Sequence, residues 1–378
     1  MRYRSLLFMT LIAALVVLAG PRVALADEGP TLAEARAACL MDAYGNVLYE
    51  ENADQEMALA SITKIMTAMV ALDSDVSLDD RITFQVREYQ EDAQLTGYTE
   101  GETPTFRELM EVMLVFSGND AASNVAFAVA GTEEAFADLM NAKAQEIGME
   151  HTHFVNPHGL EAEGQYSCAR DLCLMGRYAL EHYPFIRDTI TTRNLKVVVG
   201  GATLSLDSTD HLMDTYEGLR GIKTGHTESG YSFLGAARRD HVTLYSCVLC
   251  CDSGEQRFAD SATLLDWGFS QYTSRQLARS AWQVRSAPWQ DGFWLRCPVT
   301  PLADVSGKQL LGSGLGFKTV MYKPNTFVGA GDAYGMAVWS QGERRVGSVA
   351  YGTDEPQHTS AWNPFVQQLF DQREGLTA

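Results

Sequence analysis

In the stretch Ser61-Ile62-Thr63-Lys64-Ile65-Met66-Thr67-Ala68-Met69-Val70, apolar residues fall at 62, 65, 66, 69 and 70. That period is the core-facing stripe of an amphipathic helix. Ahead of it, short apolar-rich runs at 37–42 and 47–50 flank Ala43-Tyr44-Gly45-Asn46, which predicts a hairpin with Gly45 and Asn46 in its turn. An acidic loop (73–80) and a strand (81–85) are expected next. Thr105-x-x-Glu108 behind Pro104 is a capping box opening a second helix, with Leu109, Val112 and Met113 on its apolar face. The pattern breaks at Phe116-Ser117-Gly118-Asn119-Asp120, and further helices are predicted at 121–130 and 133–147. Nothing here alternates like a sheet, so the middle of the chain reads as an all-helical insert.

From Leu195 the pattern turns to strands, at 195–199, 202–206, 221–224, 232–237 and 242–249. A closing helix at 255–269 is expected to turn Phe258, Ala262, Leu265 and Phe269 inward. Early hairpin, helical middle and late antiparallel strands make an α+β layout, with the first hairpin joining the late sheet. Past Tyr272, glycine turns separate short strands at 319–322, 334–339 and 345–351, which predicts a small all-β domain.

Composition adds compartment and partner class. Arg2 and Arg4, the apolar run 6–19 and Ala24-Leu25-Ala26 ahead of Asp27 form an export signal over residues 1–26. An uncleaved anchor is the weaker reading, because the run is short and ends at Gly20-Pro21. Either way the rest of the chain is expected beyond the membrane, secreted or in the cell envelope. The remaining 352 residues are enough for two domains. Losing three arginines and no acids takes the formal charge from −19 to −22, which argues against nucleic acid as a partner. A short helix is expected at 363–372; it is acidic, so a domain cap or frayed end is favoured over a membrane anchor. Weak membrane association through the signal region or this tail is left open.

Seven scattered cysteines, an odd number, argue against a disulfide framework or a zinc ribbon. Most sit in apolar surroundings as small core residues, with a Cys168–Cys173 bridge as a minor alternative. His151, His153 and His158 crowd together, yet no HExxH or carboxylate cluster completes a metal site. Asn156-Pro157 and Gly159 spell a structured turn instead, and no metal or cofactor is expected.

Ser61 at a helix start could be an N-cap. Lys64, one turn on and close to the buried stripe, makes it a candidate nucleophile beside its base. Two more motifs follow in order: Ser117-Gly118-Asn119 at a helix break, and Lys223-Thr224-Gly225 on a predicted strand, followed by His226. Each triplet is weak by itself, and all three in order are a strong signal. Burial and the second cation Lys223 would lower the pKa of Lys64 and free it to act as a base. Ser117 could relay a proton, and the Asn119 amide could hold Lys64 and the substrate backbone. Lys223 and Thr224 would receive a substrate carboxylate, and Gly225 would let the substrate backbone approach. The N–H groups of Ser61 and His226 would form an oxyanion hole.

Over residues 37–272 the chain resembles the serine D-alanyl-D-alanine carboxypeptidases, the low-molecular-mass penicillin-binding proteins. The likeness rests on Ala60 to Thr67, Ser117 to Ala122, Asn156-Pro157-His158-Gly159-Leu160 and Lys223 to Thr227. It implies a penicillin-binding/β-lactamase-like catalytic domain at 27–273, an antiparallel sheet flanked by helices with a helical insert. A small β-sandwich-like domain with a short tail would fill 274–378. It also implies release of the terminal D-alanine from peptidoglycan stem pentapeptides through an acyl-enzyme on Ser61, in peptidoglycan biosynthesis and cell-shape maintenance. β-Lactams would acylate the same serine. Departures are Leu59 where proline is usual, Cys168 and Cys173 where threonine or small apolar residues are usual, and Glu161 where aspartate is common. None removes a reacting group.

A class A β-lactamase shares the three motifs but also needs a Glu-x-x-x-Asn between the second and third. Glu150, Glu161 and Glu163 lack asparagine four residues on. A silent wall-binding protein would not be expected to keep Ser61, Lys64, Ser117 and Lys223 together.

Overall fold

The structure is a computed structural model, which describes residues 29–89, 93–280, 285–288, 296–321, 327–328, 331, 333–353 and 357–358. The expected export signal, the tail helix at 363–372 and Tyr322 lie outside the described residues. One compact unit spans Gly29–Ser270, and a second contains the chain from Gln271 onward.

In the first unit the hairpin β1 (Ala37–Asp42) and β2 (Val47–Glu51) leads into a 3-10 turn (Ala60–Ile62) and helix α1 (Thr63–Leu72). Helices α2 (Phe106–Val115), α3 (Asn119–Ala130), α4 (Glu133–Ile147), α5 (Ala169–His182) and α6 (Pro184–Thr189) form the insert. Strands β3 (Asn194–Val199), β4 (Ala202–Asp207), β5 (Leu219–Thr227), β6 (Gly230–Arg239) and β7 (Val242–Cys251) and helix α7 (Gln256–Ser270) close the unit. The main sheet has the order β2-β1-β7-β6-β5, with antiparallel neighbours throughout. The first hairpin thus joins the late sheet, as expected, whereas β3 and β4 form a separate two-stranded ribbon.

Both faces of the sheet are covered. Cys173 of α5 bonds the Cys39 carbonyl on one face, and Gly268 of α7 meets Leu40 and Leu244 on the other. All six residues of β1 are buried for that reason, and so its first five, Ala37 to Met41, read as a continuous apolar run. The inward face of α7 is rotated from the sequence expectation. Asp260, Ser261, Leu264, Leu265 and Gly268 are buried, while Phe258, Ala262 and Phe269 are half-buried. Two packing demands set that rotation. A Cβ at Gly268 would stand 2.4 Å from Leu40 Cδ2, and the Asp260 carboxylate accepts the N–H groups of Ala33, Glu34 and Ala35, each at 2.9 Å.

The capping box is formed, with Thr105 and Glu108 bonding each other's backbone N–H. The strand expected at 81–85 is absent: Arg81 makes one isolated bridge to Thr105, and the rest is extended loop. Its partner segment contains Pro104, which takes the Ile82 N–H but has none to return. Cys168 and Cys173 are unbridged. Cys168 caps α5 and Cys173 lies five residues on, about 140° around the helix, on the sheet side.

In the second unit strand β8 (Tyr272–Ala278) pairs with β11 (Val305–Leu310). A five-stranded sheet is built from β9 (Arg285–Pro288), β10 (Arg296–Pro301), β12 (Gly316–Met321), β14 (Ala333–Gln341) and β15 (Arg344–Gly352). Strands β13 (Phe327–Val328) and β16 (Gln357–His358) form a further pair. Leu277 and Ala278 of the first pair share a core with Val299, Ala337, Trp339, Val349 and Tyr351 of the larger sheet. This is a small all-β unit.

Asp260→Ala should release the 33–35 segment from α7 and lower unfolding free energy by about 1–3 kcal/mol for the lost charged bonds. Denaturant titration measures it, and an unchanged midpoint would remove this anchor from the account.

Candidate active site

Three pieces of chain meet around Ser61. The turn that carries it is held from two sides by backbone. A Cβ on Gly225 of β5 would stand 2.9 Å from Ala60 Cβ and 3.1 Å from the Leu59 carbonyl oxygen. A Cβ on Gly159 would come within 1.9 Å of the Ala60 carbonyl oxygen. Glycine at 225 is therefore required for packing the serine turn against the strand, a demand the sequence expectation of substrate approach did not contain. Ala60 itself has φ 52°, in the left-handed region that costs a non-glycine residue about 1–2 kcal/mol. Thr63 Oγ1 donates to the Ala60 carbonyl at 2.7 Å, which helps hold the turn.

No side chain caps α1, so Ser61 is not serving as an N-cap. Its hydroxyl lies 2.7 Å from Lys64 Nζ. Lys64 is 0% exposed, and the same nitrogen bonds Asn119 Oδ1 and the His158 carbonyl, each at 2.7 Å. Burial pushes this amine well below the ordinary lysine range, the Lys223 charge adds to that, and Asp120 opposes it. A neutral amine has two hydrogens and one lone pair. The two carbonyl oxygens can only accept, so they take the hydrogens and the lone pair faces Ser61. The helix has placed a base against a hydroxyl.

Ser117 and Asn119 come from the break between α2 and α3. Ser117 has φ 73°, a second non-glycine residue in the left-handed region, and Asn119 is the first residue of α3. Strain of this kind persists where surrounding contacts over-determine it. Here Asn119 N–H donates to Gln94 O at 2.8 Å, and buried Asp120 accepts from Thr96 N–H and Oγ1 at 2.9 and 2.7 Å.

The third piece is β5. Lys223 is 2% exposed, its Nζ 3.4 Å from the Thr224 carbonyl oxygen. Burial pushes its pKa down to about 7, helped by Arg257 and opposed by Asp210. Thr224 Oγ1 lies 2.6 Å from Thr209 Oγ1, and His226 stacks on Tyr231 at 4.1 Å. Ser61, Ser117, Asn119, Thr224, Gly225 and His226 line a cleft of about 150 Å³. Lys64 and Lys223 are buried close by, so the structure brings all eight residues singled out from the sequence together.

Arg257 was not legible beforehand. It projects from α7, donates to the Gly225 carbonyl at 2.9 Å, packs over Tyr231 and Phe258, and lines the cleft with Gln94 and Thr209. The loop 156–160 was visible as a motif without a role. It supplies the His158 carbonyl to Lys64 and is pinned to α1 by Thr67 Oγ1, which donates to the Pro157 carbonyl at 2.6 Å. Burial, then the Lys64 charge, pushes the His158 imidazole down to about 3; as a neutral ring it accepts Leu160 N–H at 3.2 Å. His153 bonds the Gly164 carbonyl, and His151 lies beside Glu56. Among the described residues no three such side chains converge as a metal site. Glu161 accepts Ser229 N–H at 3.1 Å, joining this loop to the β5–β6 turn.

The model of the D-alanyl-D-alanine carboxypeptidase family matches residues 25–253. The chain belongs to this family. It is similar to D-alanyl-D-alanine carboxypeptidase DacF of Bacillus subtilis, with 32% identity over 250 residues, 65% of this chain and 64% of that protein. It thus spans just under two thirds of that relative's length. A D-alanyl-D-alanine endopeptidase of Pseudomonas aeruginosa is 32% identical over 64% of this chain and 79% of its own. Among solved structures, penicillin-binding protein D2 from Listeria monocytogenes in its cefotaxime-bound form matches with 33% identity and a TM-score of 0.59. That match covers 64% of this chain and 99% of the other.

Gly159→Ala should drive a methyl group into the Ala60 carbonyl, displacing the serine turn and costing at least about 1–3 kcal/mol. A variant as stable as the parent in denaturant titration would overturn this packing account.

Proposed function

We propose that the protein is a serine D-alanyl-D-alanine carboxypeptidase acting on peptidoglycan stem pentapeptides in the cell envelope. The observation that carries this reading is the 2.7 Å contact between Ser61 Oγ and the buried Lys64 amine, in a cleft that also holds Ser117, Asn119 and the β5 residues. Neutral Lys64 takes the Ser61 proton as Oγ bonds to the carbonyl carbon of the penultimate D-alanine. The oxyanion forms against the N–H groups of Ser61 and His226. Ser117 passes a proton to the departing amine, the C–N bond breaks, and D-alanine leaves. Water then hydrolyses the ester on Ser61.

Asn119 has its amide oxygen on Lys64, which leaves its NH₂ group for the substrate backbone. The free C-terminal carboxylate is received by Thr224 and the cations Lys223 and Arg257. Two cations at that end support a substrate with a free carboxylate on the residue after the scissile bond, as the terminal D-alanine has. Cross-link cleavage, suggested by the relative named endopeptidase, is the second reading. β-Lactams present a carboxylate and an acylating carbonyl to the same groups, and a relative with cefotaxime bound supports them as ligands of this cleft that Ser61 would attack.

Two variants and a pH series test the assignment. Ser61→Ala is expected to abolish both D-alanine release from a pentapeptide and labelling by fluorescent penicillin, with folding intact by circular dichroism. Labelling at the parent level would sink the nucleophile. A pentapeptide left whole beside a cleaved cross-linked dimer would favour the endopeptidase.

For Lys64 the working form is the unprotonated amine, which is populated above its pKa. Acylation should therefore rise with pH through a midpoint well below that of free lysine (~10.4). Lys64→Arg should be nearly inactive at every pH, since guanidinium keeps its proton. A near-normal arginine variant would exclude the base role.

A further inference from the structure

Asp210 stands just ahead of the turn His211–Asp214 that packs against β5, and it is 6% exposed. Its Oδ1 accepts Leu212 N–H at 3.0 Å and caps the turn. Its other oxygen, Oδ2, is buried with no hydrogen-bond partner among the described residues. A cap alone does not explain that cost, since asparagine or serine caps a turn equally well without a desolvated charge. The neighbouring residues do explain it. Thr209 precedes Asp210 and is bonded to Thr224, which ties the segment carrying Asp210 to the cleft wall next to Lys223. The cations acting on it are Lys223 of β5 and Arg257 of α7, and neither forms a salt bridge among the described residues.

We propose that Asp210 is a positioning residue for the substrate carboxylate, a buried counter-charge that holds Lys223 as an ammonium ion beside Arg257 and, through Lys223, keeps Lys64 an uncharged base. The inference rests on the reading of Ser61 and Lys64 as nucleophile and base. The charges around the group are these. Lys223 is acted on by Arg257 and Asp210, and its own charge acts on Lys64 of α1. Lys64 also feels Asp120 of α3, and Arg257 feels Tyr231 of β6 and Cys251 of β7 besides Asp210. His211 on the same turn packs edge-on against Phe258.

The signs run one way. Burial raises Asp210 to about 6 and lowers Lys223 to about 7, so near neutral pH the carboxylate is mostly ionised and Lys223 sits near its midpoint, where a change in the neighbouring charge alters the ammonium fraction most. With the carboxylate gone, burial and Arg257 would both act against the ammonium unopposed, and Lys223 would lose its proton at a lower pH. The carboxylate-binding charge would go with it, and so would the repulsion that adds to burial in keeping Lys64 neutral.

Asp210→Asn tests this, because the amide oxygen can still cap Leu212 while the charge is removed. The direct readout needs no catalysis: ¹⁵N-lysine NMR titration of the full chain, tractable with seven lysines, with the Lys223 signal assigned by its loss in Lys223→Gln. The Lys223 midpoint should fall by about one to three pH units. In D-alanine release the alkaline limb of kcat/KM should move acidward, mainly through KM, and Asp210→Glu should restore it. An unchanged Lys223 titration, with at most a lower Tm, would reduce Asp210 to a cap and overturn the proposal. A shifted titration in Asp210→Asn, beside a wild-type chain that releases no D-alanine, would uphold the electrostatic link and refute the carboxypeptidase reading instead.

Discussion

The amine of Lys64 has three oxygen neighbours and no exposure to water, and the geometry around Ser61 follows from that burial. An isolated ammonium ion would be far too costly there, so the group answers by giving up its proton. Two of its neighbours are carbonyl oxygens that cannot donate. They come from α3 and from the loop 156–160, distant in sequence from the helix that carries the lysine. A chain that failed to bring either one into place would leave an N–H group buried without a partner. The serine, α3 and the loop 156–160 are thus fastened to one nitrogen.

Shape is fixed around that nitrogen by the absence of side chains. Gly159 and Gly225 let a loop and a strand close on the Ala60 turn from two sides, and Ala60 and Ser117 carry left-handed backbone angles inside the clamp. The conformational cost at two residues is offset by packing from several elements, so the serine is aimed by its surroundings and not by local preference. Asp120, with its bonds to Thr96, does the same for the segment that presents Ser117 and Asn119.

Much of this could be read from the chain because its signals are local. Helical period, capping box and the order of three short motifs each depend on residues within a few positions of one another. The helix expected at 133–147 coincides with α4, and Ser61, Lys64, Ser117, Asn119 and Lys223 to His226 do meet. What escaped notice depends on residues far apart. The 81–85 segment looked like a strand, yet its pairing partner held a proline. The inward face of α7 was set by Asp260 reaching back to residues 33–35. Arg257 sat in an ordinary amphipathic helix, and nothing in its own neighbourhood says that it ends against the Gly225 carbonyl. The packing reason for Gly225 was likewise invisible, because Ala60 lies on another element.

The central pairing of β1 with β7 joins residues about two hundred positions apart. Between them lie the insert, the β3–β4 ribbon and the other three strands of the sheet. A nascent chain emerging from its N-terminus therefore holds Ser61 and Lys64 long before it owns the wall formed by β5 and α7. Until β7 is available, β1 has only β2 beside it, and a lone hairpin is marginal in water. Such non-local closure is slow, since the loop entropy must be met before the contacts that reward it exist. The helix that carries Lys64 is consequently made early and walled in late, and a chain cut short before β5 would carry Ser61 without the strand that lines one side of the cleft.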